Sequence, residues 1–430
     1  MKKLLLLIAV LYCYHPLTAQ KTVEKKHLAA TVKPQAQILP GAYQLADYLP
    51  LLKGKRVGVF ANTTSMVGHT HLVDTLQKLG IKIAKIFGPE HGFRGNAGEG
   101  ETVGSYVDSL TGVKVVSLYG KKLKPTGADL EDVDILVFDI QDVGTRFYTY
   151  ISSLQYFMES AIQYNLPLLV LDRPNPNGFY VDGPVLDSAY KSFVGMQPIP
   201  VVYGMTIGEY AQMLLGEEWL PWRIIRKENK QLTMGQLLGF EEKHTNFKLQ
   251  VIPCKNYTHK SRYQLPVMPS PNLADMGSVY WYTSTCFFEG TNLSEGRGTD
   301  HPFQIFGHPT LPDTLFAFTP HATPWGKEPK LKDQLCYGWN LTALTAPACI
   351  DLHWLIQAYT MFNNKDSFFI KPKSRLPQDY YFNKLSGDST LMQQLTEGKT
   401  EAEIRQSWQP KLQAFKKIRK KYLLYPDFDR

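Results

Sequence analysis

Short apolar runs separated by amphipathic stretches fill the chain from Arg56 to Asp172. The runs are Val57 to Ala61, Ile81 to Phe87, Val113 to Leu118, Ile135 to Ile140 and Leu168 to Leu171. They are rich in Val, Ile and Leu, and short enough to be strands buried on both faces. Between the last two runs, Ile151, Leu154, Met158, Ala161 and Ile162 recur at the spacing of one helix face, and a helix is predicted over 72–79 between the first two. Strands alternating with helices imply a parallel sheet with helices on its faces. The spacing therefore predicts an α/β fold with a doubly wound, Rossmann-like parallel-sheet domain over 41–185. Regularity breaks at Arg173-Pro174-Asn175-Pro176-Asn177-Gly178, whose prolines and glycine favour a connection. Helical spacing returns at Ile207, Tyr210, Ala211, Leu214 and Leu215. Phe247 to Ile252 then reads as a strand, and helices are predicted over 350–362 and 401–423. This mixed order predicts a second, α+β domain over 186–430.

The first nineteen residues follow another pattern. Lys2 and Lys3 precede an apolar run from Leu4 to Tyr12, and Thr18-Ala19 supplies small residues before Gln20. That is the pattern of a cleavable secretory signal, with a run shorter than the roughly 20 residues that span a bilayer. A linker over 20–40 follows. The mature chain is expected to be soluble, exported to the periplasm and not stably inserted in a membrane. The large Tyr12 before Cys13 argues against lipidation at that cysteine.

With 43% hydrophobic and 20% charged residues among 430, the composition excludes a disordered, collagenous or coiled-coil protein. The formal charge of +8 is mild and partly local. Lys416, Lys417, Arg419, Lys420 and Lys421 interleave with Leu412, Phe415, Ile418 and Tyr422 at helical spacing, which reads as a terminal helix with a packed stripe and a solvated basic face, not a nucleic-acid arm. Beyond Cys13, the cysteines Cys254, Cys286, Cys336 and Cys349 show no C-x-x-C spacing; an oxidising compartment permits three pairings and the sequence selects none.

In open parallel sheets, ligands bind beyond the carboxyl ends of the strands, where loops and helix N-termini converge. Four polar loops would share that rim here. They are Asn62-Thr63-Thr64-Ser65, Gly88-Pro89-Glu90-His91-Gly92-Phe93-Arg94-Gly95, Gln141-Asp142-Val143-Gly144-Thr145-Arg146 and Arg173-Pro174-Asn175-Pro176. No G-x-G-x-x-G follows the first strand, so nothing lets the backbone approach a dinucleotide pyrophosphate, and no cofactor is expected. Gly398-Lys399-Thr400 superficially resembles a phosphate loop but lacks the upstream glycine and a preceding strand, so a helix end is expected there. Asn292-Leu293-Ser294-Glu295-Gly296 lacks the first glycine of a serine-hydrolase elbow. His69, His71 and Asp74, with His91, are residue types that zinc can use, but His69 and His71 fall at a helix start where capping is the usual role, and no metal is assigned.

Glu90 is the first choice of catalytic carboxylate. Flanked by Pro89 and close to Gly88 and Gly92, it sits in a constrained loop where Phe93 offers a desolvating neighbour, a setting that suits general-acid work. His91 is expected to orient a substrate hydroxyl or a carboxylate. Glu99 and Glu101 follow in a Gly-rich stretch that reads as solvated loop. A second polar constellation comprises Met268-Pro269-Ser270-Pro271-Asn272-Leu273 and Phe288-Glu289-Gly290-Thr291-Asn292-Leu293-Ser294-Glu295-Gly296-Arg297. Its carboxylates, amides and hydroxyls are of the kind that hydrogen-bond a sugar ring.

At these same motifs the sequence resembles the exo-β-N-acetylmuramidases of peptidoglycan turnover, a glycoside hydrolase family long carried as a domain of unknown function. The resemblance rests on Gly88 to Gly95, Asp139-Ile140-Gln141-Asp142-Val143-Gly144-Thr145-Arg146, Leu171-Asp172-Arg173-Pro174-Asn175-Pro176, Met268 to Leu273 and Phe288 to Asn292, and runs from about Gly41 to Tyr425. It implies a Rossmann-like domain joined to a second domain with the active site in the cleft between them, and release of N-acetylmuramic acid from the non-reducing ends of cell-wall fragments (MurNAc-β-1,4-GlcNAc). By motif, Glu90 corresponds to the catalytic acid, and Glu289 is the partner we assign. Muramic acid carries a lactyl carboxylate, which a planar guanidinium matches, so Arg94, Arg146, Arg173 and Arg297 are candidates for it, each with Asp139, Asp142 or Asp172 as an alternative partner. Asp142, Asn175, Asn272, Asn292 and Glu295 complete the expected substrate contacts, with Asp142 able to orient the 2-acetamido group. Two other readings remain open: a non-catalytic cell-wall fragment binder and a metal-dependent hydrolase. The sequence sets no oligomeric state.

Overall fold

The computed structural model describes residues 36–95, 104–220 and 247–428, and from Ile38 onward the chain forms one unit. The expected leader with Cys13, nearly all of the linker, and Glu99 and Glu101 lie outside the described residues. In chain order the strands are β1 (Arg56–Ala61), β2 (Met66–Val67), β3 (Thr70–His71), β4 (Lys82–Gly88), β5 (Tyr106–Val107), β6 (Lys114–Ser117), β7 (Ile135–Asp139), β8 (Leu168–Leu171), β9 (Asp182–Val185), β10 (Pro200–Val202), β11 (Leu249–Ile252), β12 (Ile305–His308), β13 (Phe316–Phe318) and β14 (Cys336–Asn340). Every one of the five apolar runs is a strand of a single seven-stranded sheet, ordered β11-β8-β7-β1-β4-β6-β5. Its neighbours pair in parallel, apart from the short edge strand β5.

The period of two along each strand divides the core. Val57, Val59 and Ala61 of β1 and Val137 of β7 point to one face, where they pack with Leu72, Val73 and Leu76 of the Leu72–Lys78 helix. Phe60 and Phe138 point to the other face, their rings stacked at 4.8 Å, and Phe157 of the Tyr150–Gln163 helix meets Phe60 edge-on at 5.1 Å. From there one apolar cluster continues through Tyr210 and Trp281 to Leu412 and Phe415. The 247–252 run returns to the main sheet as β11, in parallel with β8.

The C-terminal part adds a three-stranded antiparallel sheet ordered β12-β14-β13 and several helices. The predicted helices over 350–362 and 401–423 are His353–Met361 and Glu401–Arg419. The 398–400 segment is the expected turn: Gly398 has φ +70° and Thr400 caps the following helix. Leu412 and Phe415 pack as expected, but Arg419 does not belong to a solvated face. It falls on the same helical stripe, is buried, pairs with Asp427 through contacts of 2.8 and 2.9 Å, and donates to Gly204 O at 2.9 Å. The chain beyond it folds back onto the carboxyl ends of β8 and β11. There Tyr425 Oη donates to Asp172 Oδ2 at 2.5 Å and accepts from Cys254 N at 2.8 Å.

The helix Met276–Thr285 was not legible as a pattern. Its residues are buried on nearly every side, including Val279, Trp281, Tyr282, Thr283, Ser284 and Thr285, so no polar stripe marks its period. Cys254, Cys286, Cys336 and Cys349 are free thiols. Among the described residues, no helix is long and apolar enough to cross a membrane.

Candidate active site

The loop after β4 carries Glu90 and His91, the latter in the left-handed region at φ 65° and followed by Gly92 at φ 74°. The loop after β7 ends in Phe147-Tyr148-Thr149-Tyr150 at the start of the Tyr150–Gln163 helix. The first loop acts as scaffold: Asn62 Nδ2 donates to Tyr150 Oη at 2.9 Å, and Gln141 N donates to Thr64 Oγ1 at 2.9 Å. Tyr148 and Tyr150 both donate to Pro269 O, at 3.1 and 3.0 Å, which ties the β7 loop to the 268–273 motif. Ser270 Oγ lies 3.4 Å from His91 Nε2. Three motifs separated by up to 180 positions in sequence thus converge.

They enclose a pocket of about 270 Å³ whose polar lining includes Glu90, His91, Ser270, Asn272, Glu289 and Arg297. Aromatic rings form most of the remaining wall: Tyr119, Phe147, Tyr148, Tyr150, Phe193, Tyr282, Phe303 and Tyr381. Glu289 arrives on the 3₁₀ turn Cys286–Gly290. Arg297 Nη2 lies 2.9 Å from Glu289 Oε1, and Tyr381 Oη donates to Glu289 Oε2 at 3.2 Å. Arg297 also reaches Glu295 at 3.4 Å, and Lys330 Nζ lies 2.6 Å from Glu295 Oε2. Burial alone would raise the Glu295 carboxyl, but Lys330 and Arg297 outweigh it and hold that carboxyl below its usual range. Burial, with the Glu289 charge adding to it, pushes the Tyr381 phenol far up, so Tyr381 stays a donor.

Of the expected site residues, Glu90, His91, Asn272, Glu289 and Arg297 line this pocket, and Glu295 lines a second one of about 670 Å³ that shares Asn272, Glu289, Arg297 and Tyr381. The others are placed elsewhere. Arg94 is held bidentately by Asp74 (3.0 and 2.8 Å) and by Asp108 (3.2 and 3.0 Å), with its guanidinium over the Phe93 ring. Arg146 is fully buried and donates to Pro184 O, Ile199 O and Leu385 O at 2.7 to 2.8 Å. Arg173 pairs with Asp139 at 2.6 and 2.9 Å, both side chains being buried. Asn175 donates to Met205 O at 2.7 Å, and Asn292 donates to Ser367 O at 2.7 Å. Asp142 is bonded by the Tyr203 hydroxyl and by Gly144 N, and burial pushes its carboxyl up to about 7. These six side chains hold loops to the scaffold, and none lines the two pockets.

Both ring nitrogens of His71 are occupied. Nδ1 accepts from Val73 N at 3.2 Å as a helix cap, and Nε2 lies 2.8 Å from Asn62 O. Asp74 is committed to Arg94, and no cluster of three potential metal ligands occurs among the described residues. The aromatic wall was not singled out from sequence. Its signal was there in Phe147-Tyr148-Thr149-Tyr150, three rings in four residues directly after a strand-end loop.

The two halves of the chain match the family models described as exo-beta-N-acetylmuramidase NamZ, N-terminal (residues 57–277) and C-terminal (residues 280–425). The chain is 37% identical over 410 residues to the peptidoglycan beta-N-acetylmuramidase NamZ of Bacillus subtilis (strain 168), covering 89% of each sequence. Two crystal structures of DUF1343 family proteins from Bacteroides fragilis NCTC 9343 are similar, at TM-scores of 0.77 and 0.74 and identities of 43% and 27%; each match covers 91% of this chain and all of the other. With family models matching residues 57–277 and 280–425 in turn and a relative 37% identical over 89% of the chain, the chain belongs to the NamZ exo-β-N-acetylmuramidase family.

Proposed function

We propose that the protein is an exo-acting glycosidase that releases N-acetylmuramic acid from the non-reducing ends of peptidoglycan fragments during cell-wall turnover. The observation that carries this reading is the meeting of Glu90 and Glu289, 199 positions apart in sequence, on the wall of one aromatic pocket. Glycoside hydrolysis uses such a pair. Glu289, tied to Arg297 and Tyr381, serves as the ionised partner, and Glu90 delivers the proton to the leaving oxygen. Rings along the wall suit the apolar face of a pyranose, while His91, Ser270 and Asn272 offer partners for its hydroxyls.

We read the sheet as Rossmann-like, on a strand order in which β1-β4-β6 steps outward one way and β7-β8-β11 the other. The domain limits 41–185 and 186–430, and a site in the cleft between them, belong to the same reading. Glu90 and the Tyr148 and Tyr150 rings come from the first part, and Asn272 and Glu289 from the second. A periplasmic location follows from the leader pattern and the substrate.

Mixing the purified protein with a MurNAc-β-1,4-GlcNAc disaccharide and resolving the products by mass tests the reading. Two monosaccharides are expected from the wild type. Glu90→Gln should lower turnover by about 10² to 10⁴ while leaving ligand binding largely intact, because an amide keeps the shape but cannot deliver a proton. Intact disaccharide with the wild type would mean a fragment binder, and loss of activity to a chelator a metal enzyme.

A further inference from the structure

The 670 Å³ pocket shares Asn272, Glu289, Arg297 and Tyr381 with the smaller one and extends away from Glu90. Its outer wall is the segment 323–330, where Thr323 N donates to Gly326 O at 3.0 Å and Gly326 N donates to Thr323 Oγ1 at 3.0 Å. This closed turn carries Trp325, an indole left 42% exposed although it lines a pocket. Pro324 and Pro329 continue the apolar surface, and Asn272, Glu295 and Lys330 supply polar groups to the same cavity. Lys330 is fixed by Phe288 O and Thr291 O at 2.7 and 3.0 Å as well as by Glu295, so the polar side is rigid too. A flat ring beside ordered donors and acceptors matches a pyranose, which has an apolar C–H face and a rim of hydroxyls.

We propose that this pocket is the subsite for the sugar on the reducing side of the cleaved bond, with Trp325 as its platform. The inference rests on the glycosidase reading. Only the smaller pocket is lined by both Glu90 and Glu289, so it receives the terminal muramyl unit, and Asn272, Glu289, Arg297 and Tyr381 line both cavities. A glycosidic bond held at that shared rim places one sugar in each.

The test compares two substrates in wild type, Trp325→Ala and Trp325→Phe: the MurNAc-GlcNAc disaccharide, and β-N-acetylmuramyl fluoride, which has no second sugar. In Trp325→Ala, kcat/KM for the disaccharide relative to the fluoride should fall about tenfold, mainly through KM, and Phe should restore part of it. A ratio that does not change overturns the subsite. A wild-type protein that turns over neither substrate overturns the glycosidase reading as well, whereas wild-type turnover with an unchanged ratio removes the subsite alone.

Discussion

Arg297 stands between two carboxylates, Glu289 at 2.9 Å and Glu295 at 3.4 Å, and Lys330 at 2.6 Å from Glu295 balances the second of them. It is also the one of the four rim arginines considered for the lactyl carboxylate that lines the pocket. A charge-assisted hydrogen bond contributes roughly 1.5 to 3 kcal/mol. Calorimetric titration of Arg297→Ala in a Glu90→Gln background should therefore weaken N-acetylmuramic acid about 10- to 100-fold more than N-acetylglucosamine. Equal losses would confine Arg297 to holding Glu289. The buried arginines behave differently. Arg173 and Asp139 are both nearly inaccessible, so Arg173→Ala strands a carboxylate in the interior and should cost about 3 to 5 kcal/mol in urea unfolding. From sequence the two arginines looked alike, each in a polar loop beside a carboxylate. What separates them is which carboxylate the folded chain brings near, a long-range fact that no local motif contains.

Capping illustrates how a single side chain governs an element. Thr400 accepts from Glu403 N while the Glu403 carboxylate accepts from Thr400 N, which closes the first turn of the Glu401–Arg419 helix. Thr400→Ala should destabilise the protein by about 1 kcal/mol, read from the urea midpoint at unchanged slope. Elements with one wet face, such as this helix and Leu72–Lys78, were legible because burial leaves a periodic trace. The Leu168–Leu171 strand was legible for the opposite reason, being a short, uninterrupted aliphatic run. Met276–Thr285 left neither trace, since it is buried on too many sides to show a polar stripe and carries aromatic and β-branched residues that also suit strands. The edge strand β5, two residues long with Val107 exposed, is below the length at which any period can be read.

At the scale of the whole molecule, the interior holds acids as well as apolar side chains. Burial pushes the carboxyls of Asp142 and Asp172 up to about 7. Such an acid holds its proton in the folded state between about pH 4 and 7 and releases it when unfolded, so its stabilising contribution is complete below about pH 4 and is lost as pH rises through 7. Asparagine keeps the shape without the charge. The stability of Asp142→Asn relative to wild type should accordingly increase between pH 5 and pH 8, measured by urea unfolding; a pH-independent difference would contradict the buried-acid assignment. The carboxylate pair of the candidate site was legible in the motifs around Glu90 and Glu289, but its aromatic wall needs rings from loops that only the tertiary fold assembles, from Tyr119 to Tyr381. The same distance in sequence has a kinetic side at Asp172. Its carboxylate, at the end of β8, is bonded by Thr206 and Tyr425, and Arg419 with Asp427 anchors the segment that brings Tyr425 there. A nascent β8 therefore emerges about 250 residues before the tyrosine that covers its end. Contacts of such separation carry a large loop-closure cost and tend to form late, so an intermediate with the central strands paired and this end of the sheet uncovered should precede the native state, and it is the species a holding chaperone would meet.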